Sequence, residues 1–283
     1  MNYFLLFFSI FLETAKTVIA NLFSKQELKE DRDIFKFNWI FYLGSFAILL
    51  CFPTTKPSLY TVLMAVGFAV VTTASQYFCL QALRCGPMSL TTFIQGSNLL
   101  IPTFFGMIFL NVVPSPIFWP LLVLLLVAMA LVLISKPESV RFRWILLSMG
   151  TFLFTGSIGI MQTLAKPDEQ IPFLQIAFAL CALFNLAGQL LARKKDAPSF
   201  PIRSRTAVMA IGSGIAMGAV NRINLYLADP NVMPTYIFFP IVNGGLIFLT
   251  TVAAVIFFKE RLTRKQWIGL VLGIAMLTVI GIV

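Results

Sequence analysis

Histidine is absent from this 283-residue chain. That removes the commonest general base, proton shuttle and metal ligand of proteins. Charge is scarce too: Asp, Glu, Lys and Arg make up 11% of residues, against about 25% in an ordinary soluble domain. The four cysteines, Cys51, Cys79, Cys85 and Cys181, lie in or beside apolar runs and form no C-x-x-C pair. They read as free thiols, so neither a disulfide framework nor a metal cluster is expected. No G-x-x-x-x-G-K-[ST] segment occurs, which excludes ATP use through a P-loop. Intramembrane hydrolysis would need a carboxylate pair, a metal cluster or a nucleophile with its base. The sequence supplies none of these, and we read the chain as a non-enzyme without cofactor or metal.

What the chain has instead is apolar residues, 59% of the total, and a mean hydropathy of +0.91. A single water-soluble globule of this size cannot hide so much apolar surface, and the composition is that of an integral membrane protein. A spanning helix needs about 20 apolar residues to cross a hydrocarbon layer of roughly 30 Å. Ten such runs occur, at 3–24, 37–55, 58–83, 87–110, 116–135, 143–165, 172–192, 206–228, 232–258 and 263–283. The first carries Glu13 and Lys16 at its centre and lacks a basic leader, so it reads as a spanning helix, not a cleaved signal.

The net charge of +10 would suggest nucleic acid in a soluble protein. Here the charges fall between the apolar runs and report orientation instead, so no nucleic-acid partner is expected. The odd-numbered connections hold 17 basic residues, among them Lys25, Arg84, Arg143, Lys194 and Arg261; the even ones hold only Lys56 and Lys166. Basic connections stay cytoplasmic. Both termini are therefore expected outside, with the reversed orientation as the alternative.

The two halves of the chain resemble each other. At a shift of 141 positions Leu5, Leu6, Phe11, Leu12, Thr14, Ile19 and Lys25 meet Leu146, Leu147, Phe152, Leu153, Thr155, Ile160 and Lys166. At a shift of 145, Met64-Ala65-Val66-Gly67 meets Met209-Ala210-Ile211-Gly212, Gln76 meets Asn221, and Asn98 meets Asn243. Such ordered matches indicate an internal duplication, 1–136 and 137–283. Five helices per half is an odd number, so the second half enters from the opposite face. The expected fold is an all-α membrane domain of ten transmembrane helices in two inverted five-helix repeats, a design suited to alternating access.

Phe258-Lys259-Glu260-Arg261-Leu262-Thr263 followed by Gln266-Trp267-Ile268-Gly269, and Ala82-Leu83-Arg84-Cys85-Gly86-Pro87, resemble helix joints of EamA-type proteins of the drug/metabolite transporter superfamily. The resemblance extends over the whole chain. It departs at Leu110-Asn111-Val112-Val113-Pro114-Ser115-Pro116, which lacks the acidic–basic pair. It implies that the first, third, fourth, sixth, eighth and ninth spans surround a cavity. The position of Glu13 is also similar to that of the first-helix glutamate of small multidrug resistance proteins, which implies a role in proton coupling and cation binding.

Charges inside hydrocarbon cost roughly 2.5–3.5 kcal/mol each on insertion scales. Glu13 lies about 15 Å into the first run at 1.5 Å per residue. With Ser9, Lys16, Thr17, Asn21 and Ser24 it forms one polar stripe at helical spacing. Glu13 and Lys16 read either as a titratable centre beside a cavity or as a self-neutralising pair. Arg222, in the eighth run, could clamp a carboxylate, pair with Glu13 or snorkel to the helix end. Gln76, Thr91, Gln95, Asn98, Gln162, Asn221, Asn224 and Asn243 are candidate pocket residues, each with interhelical hydrogen bonding as its alternative. Tyr236 is a candidate pocket wall. Pro102, Pro234, Pro240 and Gly244-Gly245 can bend the fourth and ninth spans. Gly214-x-x-x-Gly218 and Gly269-x-x-x-Gly273 permit close packing within the bundle, or a homodimer seam through the tenth span.

The expected function is secondary transport, in the export direction, of small polar metabolites such as amino acids through the cell membrane, with protons as possible coupling ion. Organic-cation export, a lipid-linked flippase subunit and a passive membrane partner are the alternatives. The expected partners are membrane lipid and a small-molecule substrate.

Overall fold

The structure, a computed structural model, describes residues 2–27, 30–109, 115–134, 142–192, 204–227, 232 and 235–280. Its order is α1 (Asn2–Gln26), α2 (Asp31–Leu49), α3 (Leu59–Cys85), α4 (Met88–Gly96), a 3-10 turn (Ser97–Leu99), α5 (Leu100–Phe109), α6 (Phe118–Ile134), α7 (Phe142–Leu164), a second 3-10 turn (Pro167–Glu169), α8 (Gln170–Leu191), α9 (Ser204–Leu227), α10 (Thr235–Phe258) and α11 (Arg264–Ile280). Among the described residues all regular structure is helical. Helices close their backbone hydrogen bonds internally, which is why long apolar segments adopt them where water is excluded.

Helix occurs in every one of the ten apolar runs. Seven segments are long and apolar enough to cross a membrane: Tyr3–Gln26, Leu59–Cys85, Met88–Phe109, Phe142–Leu164, Pro167–Leu191, Ser204–Leu227 and Ile241–Phe258. That composition fits a multi-pass membrane protein. The second run is displaced from its expected 37–55. Its helix starts at Asp31, where the Glu30 N–H donates to Asp33 Oδ2 at 3.1 Å in a capping box, and Pro53 and Pro57 keep the end of the run out of the helix. The expected boundary at 136/137, Pro234 and the side chains of Tyr236 and Pro240 lie outside the described residues.

The fourth run, expected to bend, is interrupted near Pro102. Pro102 has no N–H to return to the carbonyl of Asn98, and the helix tightens to a 3-10 turn over Ser97–Leu99, one turn before the proline. By contrast α10 continues as one helix through Pro240 and Gly244-Gly245.

Helices from the first part of the chain pack chiefly against helices from the second: α2 on α8 and α9, α3 on α7 and α8, α1 on α9 and α10, α4 on α10, and α6 on α11. Lipid offers no hydrophobic drive for this, so close contact must supply it. Along the α2–α9 seam a Cβ added to Gly214 would lie 1.9 Å from the Phe41 carbonyl oxygen, and one added to Gly218 would lie 2.6 Å from that of Ser45. The Ser45 hydroxyl donates to the Gly214 carbonyl at 2.8 Å across the same seam. Aromatic packing among Tyr42, Phe68, Phe173 and Phe178 fills the space between α2, α3 and α8. Gly273 faces the ring of Phe93, so the second small-residue motif packs inside the bundle. Outward faces are apolar: Phe4, Phe7 and Phe11 on α1, and Leu59, Leu63, Val66 and Val70 on α3, are exposed.

Candidate functional site

The polar stripe of α1 faces inward. Ser9, Lys16, Thr17, Asn21 and Ser24 are buried, and Thr17 turns its hydroxyl back to the Glu13 carbonyl at 2.8 Å. Lys16 Nζ donates to Glu13 Oε1 one turn away. The pair is largely dry, with side-chain exposures of 10% for Lys16 and 15% for Glu13. Lys16 Nζ also lies 3.4 Å from Met217 Sδ on α9. A buried ion pair needs further polar neighbours to offset its desolvation, and a cavity of about 160 Å³ provides them.

Glu13 and Lys16 of α1 line this cavity together with Gln76 of α3, Gln95 and Asn98 of the broken α4–α5 helix, Gln162 of α7, Asn221 and Asn224 of α9, and Asn243 of α10. The break at Ser97–Leu99 places Asn98 on the wall, in the region where helical hydrogen bonding is interrupted. Some of these amides are held by protein partners. Gln162 Nε2 donates to Asn221 Oδ1 at 3.1 Å, Asn221 Nδ2 donates to the Met217 carbonyl at 3.0 Å, and the Ser9 hydroxyl donates to Asn224 Oδ1 at 2.6 Å. Gln95 Oε1 accepts from the Cys79 thiol at 3.6 Å. Gln76, Asn98 and Asn243 also line the cavity, with no side-chain hydrogen bond to another described residue. Chemically the cavity offers one acid, one base and a ring of neutral amides. Such a lining suits a small dipolar or zwitterionic molecule.

Two of the candidate residues take the alternative roles left open for them. Arg222 is not on the cavity. Its guanidinium lies 5.9 Å from the Phe52 ring centroid, and Nη1 is 3.5 Å from Gln170 Oε1, so of the readings left open it follows the route toward the helix end. It is also not the partner of Glu13, which pairs with Lys16. Thr91 is buried away from the cavity, where its hydroxyl accepts from Trp144 Nε1 at 2.9 Å and donates to the Pro87 carbonyl at 2.8 Å.

Sequence reasoning missed other wall residues. Tyr42 sends its hydroxyl to the Thr72 carbonyl at 3.1 Å, and the Ser75 and Thr155 hydroxyls meet at 2.7 Å; all four line the cavity. The one signal in the sequence was that Thr155 occupies the position of Thr14 in the internal duplication.

No protein-family model matches the chain, and no curated protein matches it. Among known structures, 25 chains match. One of them, a crystal structure, superposes with a TM-score of 0.58 at 13% sequence identity, over 98% of this chain and 94% of the other. At that identity the likeness is one of fold alone.

Proposed function

We propose that the chain is a secondary transporter of small polar metabolites, amino acids among them. In this reading it is an EamA-type member of the drug/metabolite transporter superfamily that works by alternating access. Its ten helices span the plasma membrane as two inverted repeats of five, with basic connections cytoplasmic and both termini outside. The observation that carries the reading is the polar cavity shared by α1, α2, α3, α4, α5, α7, α9 and α10, with the Glu13–Lys16 pair on its wall. Nothing in the packing of a mere anchor calls for so many interior polar groups.

Helix packing supports the repeat. Exchange α1 with α7, α2 with α8, α3 with α9, the α4–α5 helix with α10, and α6 with α11. The pair α1–α9 then becomes α7–α3, α2–α9 becomes α8–α3, and α1–α10 becomes α7 with α4–α5. The pairs α2–α8, α4–α10 and α6–α11 map onto themselves. Equivalent packing in both halves lets two states of similar energy exchange roles.

Size and charge narrow the solute. Pockets for drug-sized ligands run from about 300 Å³ upward, and a cavity of about 150 Å³ admits benzene. A volume of about 160 Å³ therefore favours a compact solute over a bulky organic cation. An acid and a base side by side suit a zwitterion, whose ammonium and carboxylate can each replace one half of the protein's own pair. Glu13 supplies the proton-coupling group, and export is the direction carried over from the resemblance.

The test is reconstitution into proteoliposomes preloaded with unlabelled amino acids, followed by exchange with radiolabelled ones and with a labelled organic cation. Amino-acid exchange above empty liposomes, with the solute chemically unchanged, is the expected result. No exchange of any polar solute would sink the proposal.

A further inference from the structure

Two carboxylates far from the cavity hold helices that line it. Glu260, in the joint between α10 and α11, reaches the first turn of α4. Its oxygens accept from the Met88 N–H at 2.6 Å, the Ser89 N–H at 3.2 Å and the Ser89 hydroxyl at 2.7 Å. The N-cap of α4 is Pro87, which gives no side-chain cap, so these orphan donors are satisfied by a residue 171 or more positions away. Lys259 adopts a left-handed backbone, φ 52°, just before the glutamate, and the Glu260 N–H returns to the Ala254 carbonyl at 3.2 Å. Such a conformation is uncommon for a residue with a side chain, and here it orients Glu260 back over α4. Lys25 Nζ approaches the same carboxylate at 3.8 Å.

At the other end of α3 the arrangement recurs with different residues. Glu169, in the turn before α8, accepts from the Ser58 N–H at 2.7 Å and the Ser58 hydroxyl at 2.8 Å. Ser58 is the N-cap of α3. Lys166 completes the cluster, 3.0 Å from Ser58 Oγ and 3.5 Å from Glu169. The 27 residues of α3 separate the two clusters by about 40 Å at 1.5 Å per residue. The cavity lies between them: α3 contributes Ser75 and Gln76, and α4 contributes Gln95.

We infer that Glu260 and Glu169 are opposed positioning residues. Each is a carboxylate from the C-terminal part of the chain that fastens the N-terminus of a cavity-lining helix of the N-terminal part, one at each end of the bundle, and release of one opens the cavity from that end alone. The inference rests on the cavity reading proposed above. Physically, a carboxylate on helix N-terminal N–H groups combines charge-assisted hydrogen bonds with the helix dipole. Because these bonds run between separate parts of the chain, sliding of α3 or α4 past its neighbours breaks them as a set, without unwinding either helix. A merely structural cap would predict something different, a general loosening with no sidedness.

The native cysteines make the test direct. Cys79 is buried one side chain behind the cavity wall, its Sγ 3.6 Å from Oε1 of the lining residue Gln95. Cys85 lines the recess that contains Glu260. Cys51 is exposed at the opposite end, and Cys181 is buried in the core. A membrane-impermeant methanethiosulfonate is applied to sealed vesicles from either side, and the modified cysteines are identified by peptide mass spectrometry. Labelling of Cys85 and Cys51 identifies the face exposed. Glu260→Gln is expected to raise the Cys79 labelling rate about tenfold or more, the loss of roughly 1.4 kcal/mol from the closed state, from the Cys85 face only. Glu169→Gln is expected to do so from the Cys51 face only. Ser89→Ala, which removes one bond of the set, should act in the direction of Glu260→Gln with a smaller rise. Unchanged Cys79 labelling, a rise from both faces in one variant, or a parallel rise at Cys181 overturns the inference. The readout needs no solute: one-sided opening without any flux would support the positioning role while rejecting the transport reading.

Discussion

Glu13 and Arg222 are both charges written into apolar helices, and they end in contrasting surroundings. Glu13 sits near the middle of α1, too far from either end for its short side chain to snorkel there, and is paired with Lys16 on a cavity wall. Arg222 is in the second-last turn of α9, and its long side chain reaches Phe52 and Gln170 near the bundle's end. The difference shows that depth alone does not decide the role of an interior charge. Depth relative to side-chain reach does.

The largest expected effect comes from breaking the deep pair. Under an imposed pH gradient, Glu13→Gln proteoliposomes should show no more flux than empty ones. The same change leaves Lys16 buried and unpaired, at a cost of about 3 kcal/mol in detergent unfolding. The double variant Glu13→Gln/Lys16→Met should regain that stability without regaining gradient-driven flux. Gradient-driven flux persisting in either variant would remove Glu13 from the mechanism.

The next largest effect acts through the seam that fixes the height of α9, and with it the position of Arg222. In Gly214→Ala the new Cβ would meet backbone at 1.9 Å, and backbone cannot rotate aside. A loss of about 3 kcal/mol is expected. Gly212, two residues earlier, has nothing within 4 Å of an added Cβ, so Gly212→Ala should stay within about 0.5 kcal/mol of the parent. Equal unfolding midpoints for the two alanines would contradict the α2–α9 packing.

A smaller effect is expected of a half-buried charge at the bundle's end. Hydrogen bonds from Thr61 and from the Ser58 N–H, then the Ser58 hydroxyl and the Lys166 charge, hold the Glu169 carboxyl at about 2, below its ordinary 4.5. A depressed carboxyl stabilises the fold fully above its unfolded value and loses that contribution as pH falls through the folded one. The melting advantage of the parent over Glu169→Gln should therefore be constant above pH 4.5 and vanish as pH falls toward 2. An advantage independent of pH over that window would show that the ionised carboxylate contributes nothing.

The smallest effect sharpens the comparison from its other side. Arg222→Ala loses a cation–aromatic contact, about 0.5–1 kcal/mol, and a long hydrogen bond to Gln170. Solute affinity, read by competition in the exchange assay, should change by less than about threefold, roughly 0.65 kcal/mol. A tenfold weakening would return Arg222 to the cavity.

Much of this cavity was legible in the sequence, for particular reasons. Glu13 stood out because a carboxylate at that depth has no cheap explanation. The pairs Gln76–Asn221 and Asn98–Asn243 stood out because the duplication aligns them, and all four reach the wall. Pro102 announced the break that exposes Asn98. Tyr42, Thr72, Ser75 and Thr155 left little trace. Hydroxyls can bond locally in a helix and are common in spans without any site, so their presence alone points nowhere. Thr91 shows the converse: it has the polarity and spacing of a wall residue, yet its partner is Trp144. Glu260 and Glu169 looked like ordinary loop charges, because a cap supplied by a distant joint leaves no local pattern.

By itself the sequence determined that this chain would form long apolar helices, and which polar groups within them had to face inward. Those outcomes follow from local facts: a run's length against the hydrocarbon thickness, and the need of every buried N–H and carbonyl for a partner within the segment. The tertiary structure alone decided which polar groups meet. Lys16 with Met217, Glu260 with Met88 and Ser89, and Arg222 with Phe52 are contacts between separate helices or joints far apart along the chain. Whether two such groups meet depends on how each helix is rotated and how far it slides along its neighbour, and side-chain packing across the whole bundle sets both.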